Sequence, residues 1–172
     1  MIVIFVGCDC TGKSTYANMM DKSLWEFKKG SANSDALAAI TELEHELSEN
    51  KNVLYDRIPL IDDIVYSQVF SKKDSVLIPL KDKIRDLLSQ CCIFYFICET
   101  HAIYTRLNER GDEYINADQV DDIKSEYRKA FELLNIHPHI MDTTLRREDK
   151  VFGDIMEVIN NETRKNSRNS AS

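Results

Sequence analysis

The chain alternates short, continuous apolar runs with longer stretches in which apolar residues recur every three or four positions. Continuous apolar runs predict strands that are buried on both faces. A weaker run with the same character, SLWEF, predicts a short second strand. The predicted strands are Ile2–Val6, Ser23–Phe27, Asn52–Arg57, Cys91–Cys98 and His139–Thr143.

Between these runs, the spacing of the apolar residues predicts helices. They cover Ser14–Asp21, Asp35–Glu49, the stripe Ile61, Ile64, Val65 and Val69, the stripe Ile84, Leu87 and Leu88, and then His101–Arg110, Ala117–Leu134 and Val151–Ile159. Strands that alternate with helices in this order predict an α/β fold of three layers. A parallel sheet of about five strands is expected, flanked by helices on both faces.

The chain has 172 residues and contains neither an internal repeat nor a Gly/Ser-rich linker, so a single domain over residues 1–160 is expected. The last segment, residues 161–172 (NETRKNSRNSAS), is polar and has no large apolar residue to anchor it. We therefore predict a disordered tail there.

Charge and cysteine content exclude several classes of partner. The net charge is -7 and the Lys and Arg residues form no block, which argues against a nucleic-acid partner. The five cysteines have no paired Cys/His partners at zinc-site spacing, so free thiols in a reducing compartment are expected. The first strand leaves no room for a signal peptide, and the longest apolar run is too short to span a bilayer. These features predict a cytoplasmic protein without a membrane partner.

Residues 7–14, GCDCTGKS, match the phosphate-binding motif G-x-x-x-x-G-K-[ST] between an apolar strand and a helix. Backbone N–H groups of such a loop and the helix N-terminus point at phosphate. The loop predicts ATP and Mg²⁺ as cofactors, with Lys13 on the β- and γ-phosphates and Ser14 on the metal. The predicted nucleotide contacts are Gly7, Cys8, Asp9, Cys10, Thr11, Gly12, Lys13, Ser14 and Thr15. The chain has no N-K-x-D motif for guanine and is too short for a motor ATPase, which leaves a small phosphotransferase.

Further charged residues follow the predicted strands, where ligands of a doubly wound sheet bind. Asp56 and Arg57 end one strand, and Arg106 and Arg110 lie four residues apart on one helix face. Phosphoryl transfer needs such cations and carboxylates. Two other interpretations remain open: Arg106 and Arg110 pair with nearby acids on a solvated surface, or the acid of the Asp56-Arg57 pair serves a helix N-terminus. The aromatic residues Trp25, Tyr66 and Phe70 either stack on a nucleobase or pack in the core.

Four segments resemble the thymidylate kinase family of P-loop nucleotide kinases: FVGCDCTGKST, VLYDR, RLNERG and YRKAF (residues 127–131). The loop carries Asp9 two residues after its first glycine, as in that family, and RLNERG is similar to the start of the family's lid. The resemblance spans most of residues 1–159. It implies the three-layer P-loop NTPase fold with a short lid.

The resemblance also implies a role for each matching residue. Asp9 would contact the sugar hydroxyl of the acceptor, and Arg57 would bind its phosphate. Asp56 would support Mg²⁺ through water, while Arg106 and Arg110 would close on the ATP phosphates. The implied reaction converts ATP and a deoxynucleoside monophosphate, dTMP or a related pyrimidine, into ADP and the diphosphate, and the implied assembly is a homodimer.

The chain departs from the family pattern in three places that concern the acceptor. One is the segment between the first helix and Asn52, which is short and which in the family supplies part of the acceptor pocket. The segment DEYI, Asp112 to Ile115, lacks the arginine that the family carries after its lid arginines. Tyr66, Ser67 and Gln68 come slightly later than the family's base-holding residues. The acceptor is therefore less well specified than ATP.

Two alternatives follow. The related deoxynucleoside kinases deprotonate a sugar hydroxyl with a carboxylate near the second strand, and Glu26 is the candidate for that base. A regulatory module that binds ATP without transferring phosphate is the other alternative.

Overall fold

A computed structural model describes residues 1–30, 35–49, 51–71, 73–110 and 117–169. For Arg110, Ala117, Asp118 and residues 166–169 it describes the backbone alone. The described strands form one parallel sheet of five strands in the order β2-β3-β1-β4-β5. They are β1 (Ile2–Val6), β2 (Glu26–Lys29), β3 (Val53–Asp56), β4 (Cys92–Ile97) and β5 (His139–Asp142).

Helices cover both faces of this sheet, so the predicted three-layer α/β fold is confirmed. The helices are α1 (Lys13–Met19), α2 (Ala36–Glu49), α3 (Pro59–Tyr66), α4 (Lys81–Leu88), α5 (Thr100–Arg110), α6 (Ala117–Leu133) and α7 (Glu148–Asn169). A π-helical turn at Ser67–Ser71 extends α3, and a 3-10 turn at Ile78–Leu80 precedes α4.

The core lies on the two faces of β1, whose five residues are all buried. On one face Ile2, Ile4 and Val6 pack with residues of α2 to α6. On the other face Val3 and Phe5 pack with α1 and α7. A strand covered on both faces has no polar side, which is why its sequence is continuously apolar.

The second strand begins later than predicted, at Glu26 rather than Ser23. Its first residue is set by pairing, since the Glu26 N–H donates to the Asn52 carbonyl and Glu26 lies opposite Val53 of β3. Residues Ser23 and Leu24 have no place in this ladder, because β3 starts only at Val53. Register with a neighbouring strand, and not the local apolar run, therefore decides where β2 begins.

The last helix is longer than predicted. The helix end predicted at Ile159 is wrong, and the predicted tail is helical as far as Asn169. A local ion pair supports this polar part, since Glu162 pairs with Lys165 at 2.6 Å. Such pairs stabilise a helix without an apolar anchor. Residues 170–172 lie outside the described residues.

Within the described ranges, none of the helices combines the length and apolar character that a membrane crossing requires.

Candidate active site

The phosphate-binding loop leaves β1 through a glycine that no other residue can replace without displacement. Gly7 has φ +138°, and a Cβ atom built on it would lie 2.4 Å from the Phe96 carbonyl oxygen. Gly12 has φ +91° and precedes the first turn of α1. These two glycines let the loop turn tightly between the sheet and the helix, as the motif predicted.

Lys13 is buried beneath this loop. Its Nζ donates to the carbonyls of Gly7 at 2.7 Å and Cys8 at 2.6 Å. Burial lowers the pKa of Lys13 to about 8, and the nearby Arg57 charge acts in the same direction. The ammonium group thus lies within the loop that the motif assigns to phosphate, and its proton is held less tightly than in water.

Ser14 and Asp56 lie together at the carboxyl ends of β1 and β3. The Ser14 hydroxyl donates to Asp56 Oδ2 at 2.6 Å. Mg²⁺ is usually bound by one or two such oxygens together with substrate phosphates, so this pair fits the ion. Among the described residues, no group of three or more His, Cys, Asp or Glu side chains could hold a metal without a nucleotide.

Arg57 follows Asp56 in a strained backbone conformation, with φ +75°. Three side chains bind its guanidinium: Nη2 pairs with Asp9, while Nη1 donates to the Tyr66 hydroxyl at 3.0 Å and lies 3.5 Å from Asp62 Oδ2. Asp9 comes from the loop, and the other two come from α3. The predicted residues Asp9 and Arg57 therefore meet, and α3 supplies a second carboxylate, on Asp62, that the sequence analysis missed.

Tyr127 of α6 connects this arginine network to the phosphate-binding loop. Its hydroxyl donates to Asp62 Oδ1 at 2.6 Å and lies 3.3 Å from the Gly7 carbonyl oxygen. Tyr127 is fully buried, and burial raises the pKa of Asp62 above its ordinary value. The YRKAF segment was the sequence signal for Tyr127, whereas nothing in the local pattern singled out Asp62.

On the other side of the loop, Arg106 of α5 connects the loop that follows β1 to the residue that follows β5. Its Nη1 donates to the Cys10 carbonyl at 2.9 Å, and its Nη2 donates to the Thr143 carbonyl at 3.3 Å. The Thr143 hydroxyl in turn donates to the Thr11 carbonyl at 2.9 Å. Arg106 thus contacts the backbone of the loop. Residues 111–116, which include the altered DEYI segment, lie outside the described residues, as does the side chain of Arg110.

Glu26 does not join the site. It is the first residue of β2 and lies level with Val53 and Ile2, at the amino ends of the strands. The phosphate-binding loop follows Val6, four residues further along β1, which places it about 13 Å away along the strands. The assignment of Glu26 as a base is therefore wrong, because a weak sequence run placed β2 too early.

The three aromatic residues considered for a nucleobase contact lie in two different places. The rings of Tyr66 and Phe70 stack with centroids 5.6 Å apart, beside Arg57, and Phe70 is 48% exposed. Trp25 packs against the core on the α1 face instead. Tyr66 and Phe70 remain candidates for a base contact, and Trp25 belongs to the core.

These elements enclose a cavity of about 470 Å³ at the carboxyl ends of the strands. It is lined by the loop, by Asp56, Arg57 and Arg106, and by residues that the sequence analysis did not select: Lys29, Thr143, Thr144, Arg146 and Glu148. The last four follow β5 and were missed because no motif marks that strand end. The cavity brings several cations together with the Ser14–Asp56 oxygen pair, and phosphoryl transfer uses groups of these kinds.

The fold and site define the class of P-loop α/β proteins to which nucleoside and nucleotide kinases belong. No family model matches the chain. The structure of deoxyadenosine kinase from M. mycoides with bound dCTP matches with a TM-score of 0.61 and 17% identity, over 94% of this chain and 100% of that chain. Thymidylate kinase from Candida albicans matches with a TM-score of 0.57 and 16% identity, over 96% and 92%. At these identities the likeness establishes the fold.

A further relative establishes the family. The SPbeta prophage-derived uncharacterized protein YorR of Bacillus subtilis (strain 168) is 31% identical over 164 residues, which cover 90% of this chain and 96% of YorR. The crystal structure of YorR in complex with phosphorylated GDP matches with a TM-score of 0.77 and 26% identity, over 95% and 98%. The chain belongs to the YorR family. The resemblance to thymidylate kinases is thus confirmed at the level of the fold.

Proposed function

We propose that this protein is an ATP-dependent kinase that phosphorylates a deoxynucleoside monophosphate, dTMP or a related pyrimidine, to the diphosphate. The observation that carries the proposal is the placement of Arg57. This residue lines the cavity beside the phosphate-binding loop, and its guanidinium is oriented by Asp9, Tyr66 and Asp62. A planar, oriented guanidinium is well suited to bind the phosphate of an acceptor.

The donor side has the groups that bind a nucleoside triphosphate. The backbone N–H groups of the loop and the Lys13 ammonium would hold the phosphates, and Arg106 would bring a further positive charge to them. Ser14 and Asp56 would hold Mg²⁺, which neutralises charge on the transferred group. In this assignment Lys13 and Arg57 approach the transferred phosphoryl group from the donor and acceptor sides.

A deoxynucleoside kinase is the second candidate, and Asp9 is the observation that favours it. A free hydroxyl acceptor needs a base, and Glu26 lies at the wrong end of the sheet for that task. Asp9 lines the cavity and its side chain is 40% exposed, so this carboxylate is the candidate to accept a proton. The two candidates differ in whether the acceptor already carries phosphate.

The acceptor base is a separate question. The resemblance to thymidylate kinases favours a pyrimidine, whereas YorR was crystallised with phosphorylated GDP. A guanine nucleotide therefore belongs in any panel of acceptors.

The direct test measures ADP release from ATP and Mg²⁺ with dTMP, dUMP, dCMP, dAMP, dGMP and GMP, each beside its free nucleoside. We expect a pyrimidine monophosphate to be used at least about tenfold more efficiently than its nucleoside, since one charge-assisted contact to phosphate is worth that much. Turnover of nucleosides alone would assign the second candidate instead. ATP binding without turnover of any acceptor would support a regulatory module and contradict both kinases.

Two variants accompany the panel. Lys13→Met should abolish turnover with every acceptor, because it removes the ammonium group that stabilises the transferred phosphate. Lys22→Met removes the same charge from the loop after α1, at the opposite end of the sheet, and should leave turnover unchanged. Equal turnover by the two variants would contradict the assignment of the phosphate-binding loop.

Arg57→Ala tests the acceptor assignment. It should raise the KM of the monophosphate by at least about tenfold and leave the KM of ATP within about twofold, because the guanidinium is assigned to the acceptor alone. An unchanged acceptor KM would contradict that role.

A further inference from the structure

We infer that Asp9 competes with the acceptor phosphate for the guanidinium of Arg57, and so sets the preference between monophosphate and free nucleoside acceptors. This inference rests on the proposed function, from which it takes the assignment of Arg57 to the acceptor. Two carboxylates already bind the guanidinium, those of Asp9 and Asp62. An acceptor phosphate would be a third anion at the same group.

The side chains that bind Arg57 differ in their exposure. Tyr66 and Asp62 come from α3, and the side chain of Asp62 is only 14% exposed. Asp62 also accepts a hydrogen bond from the buried Tyr127 at 2.6 Å, which holds that carboxylate in place. Asp9 belongs instead to the phosphate-binding loop, and its side chain is 40% exposed. A ligand that binds the guanidinium therefore displaces Asp9 more readily than Asp62.

The two terminal nitrogens of the guanidinium have different partners. Nη1 is bound on the α3 side, where it donates to the Tyr66 hydroxyl at 3.0 Å and lies 3.5 Å from Asp62 Oδ2. Nη2 binds the carboxylate of Asp9. Carboxylates and phosphates bind a guanidinium in the same way, through charge-assisted hydrogen bonds to its N–H groups. Because α3 holds Nη1, an acceptor phosphate has to bind at Nη2, where Asp9 is already bound.

The charges around Lys13 strengthen this competition. Burial lowers the pKa of Lys13, and four neighbouring charged groups also act on that pKa. They are Arg57, Asp9, Asp62 and Asp56. Three carboxylates thus accompany two cations, so an approaching phosphate meets more negative than positive charge. Removal of the Asp9 charge should therefore favour an anion at the guanidinium.

The competition affects one class of acceptor and not the other. A monophosphate has to displace Asp9 before its phosphate can bind the guanidinium of Arg57. A free nucleoside carries no anion, so it leaves the ion pair between Asp9 and Arg57 intact. Asp9 therefore lowers the affinity for monophosphates without lowering the affinity for nucleosides. The strength of this ion pair sets the preference between the two classes of acceptor.

The experiment compares Asp9→Asn with the wild type, and uses Asp21→Asn as the matched control. Asparagine keeps the shape of aspartate without its charge, and Asp21 is exposed beyond the end of α1, away from the loop. Calorimetry without ATP gives the Kd of dTMP, of dGMP and of the two corresponding nucleosides. We expect Asp9→Asn to lower the monophosphate Kd by about tenfold, because one charge-assisted contact no longer competes, and to leave the nucleoside Kd within about twofold. Asp21→Asn should behave as wild type.

The same substitution in an Arg57→Ala background tests whether the effect acts through the guanidinium. In that background Asp9→Asn should change the monophosphate Kd by no more than about twofold, because there is no guanidinium left to compete for. An equal gain in affinity with and without Arg57 would assign the effect to the general charge of the loop, and would overturn the inference.

The outcomes separate this inference from the proposed function. Monophosphate turnover by the wild type, with a monophosphate Kd in Asp9→Asn that is unchanged or raised, overturns the competition while the proposed function stands. A wild type that phosphorylates only free nucleosides overturns the proposed function. A lowered monophosphate Kd in Asp9→Asn would then still support the competition, because it shows that Asp9 excludes phosphate from Arg57. Failure of both proteins to bind either monophosphate overturns the inference.

Discussion

The lowered pKa of Lys13 predicts how the affinity for ATP–Mg²⁺ depends on pH. Burial lowers its pKa to about 8 in the ligand-free protein, and bound phosphates would raise that pKa again. About one pH unit or more below this pKa the ammonium group is protonated in both states, so the affinity for ATP–Mg²⁺ should be constant. As the pH rises through the pKa, binding must restore a lost proton, so the Kd should increase, by up to about tenfold per pH unit.

Calorimetric Kd values between about pH 6.5 and 9.5 would measure this dependence, since that range spans the lowered pKa. Lys13→Met has no proton to restore and should lose the slope above pH 8 along with most of its affinity. A wild-type Kd that is constant over the whole range would contradict the lowered pKa.

Tyr127→Phe tests whether α6 positions Arg57. The substitution keeps the buried ring but removes the hydroxyl that donates to Asp62 at 2.6 Å. A buried carboxylate without its donor costs about 1–3 kcal/mol of unfolding free energy. Because Asp62 also lies against Arg57, the acceptor KM should rise while the KM of ATP changes little.

Urea unfolding and steady-state kinetics would measure both effects. Tyr104→Phe is the matched control, since Tyr104 is 43% exposed on α5 and should tolerate the change. A destabilised variant with an unchanged acceptor KM would assign Tyr127 a purely structural role.

The sequence predicted the residues that belong to a contiguous motif, and missed those brought together by pairing between distant strands. Lys13 and Ser14 lie in the loop as the motif predicts, and Asp9 does meet Arg57. Lys29 lines the cavity through the register of β2 with β3, which no local pattern encodes. The roles of these residues in catalysis stay predictions until the variants are measured.

At the scale of elements, a single methyl group added where β1 leads into the loop before α1 should strongly lower the unfolding free energy. Gly7→Ala would place a Cβ atom 2.4 Å from the Phe96 carbonyl of β4 and would require an unfavourable φ. We expect a loss of at least about 2 kcal/mol in unfolding free energy, because neither backbone can move without disturbing the sheet. Gly153→Ala is the matched control within α7.

A Cβ atom added to Gly153 would meet no heavy atom of the described residues within 4 Å, apart from the backbone of its own helix. Alanine there should therefore raise the unfolding free energy by about 0.5–1 kcal/mol. Urea denaturation of the two variants would compare the two sites. Equal stability of the two variants would contradict the close packing of β1 against β4.

The elements that the sequence predicted best are those whose apolar residues follow a clear strand or helix pattern. The buried strands β1 and β4 and the amphipathic helices α2 and α6 match their predicted bounds within about two residues. The start of β2 and the end of α7 were missed for opposite reasons. Tertiary pairing excluded residues with apolar character from β2, and local polar contacts extended α7 beyond its last apolar residue.

At the scale of the whole molecule, nucleotide binding should be visible as thermal stabilisation. A ligand that binds the folded state at about 100 times its Kd adds about 2.7 kcal/mol of stability. For a chain of this length that corresponds to an increase in Tm of about 5–10 °C. Differential scanning fluorimetry with ATP–Mg²⁺ would measure the increase, and Lys13→Met should show little of it.

The position of β1 in the sheet has a consequence for synthesis on the ribosome. Of the described strands, β1 is made before the other four and is the central strand of the sheet. Its partners are β3 and β4, which end at Asp56 and Ile97. Until the nascent chain has been made as far as Ile97, the apolar strand β1 lacks at least one of its two partners. During that time it depends on the exit tunnel or a chaperone to avoid aggregation. The cavity is complete only when Glu148 has emerged, so we expect a nascent chain to gain nucleotide affinity late in its synthesis.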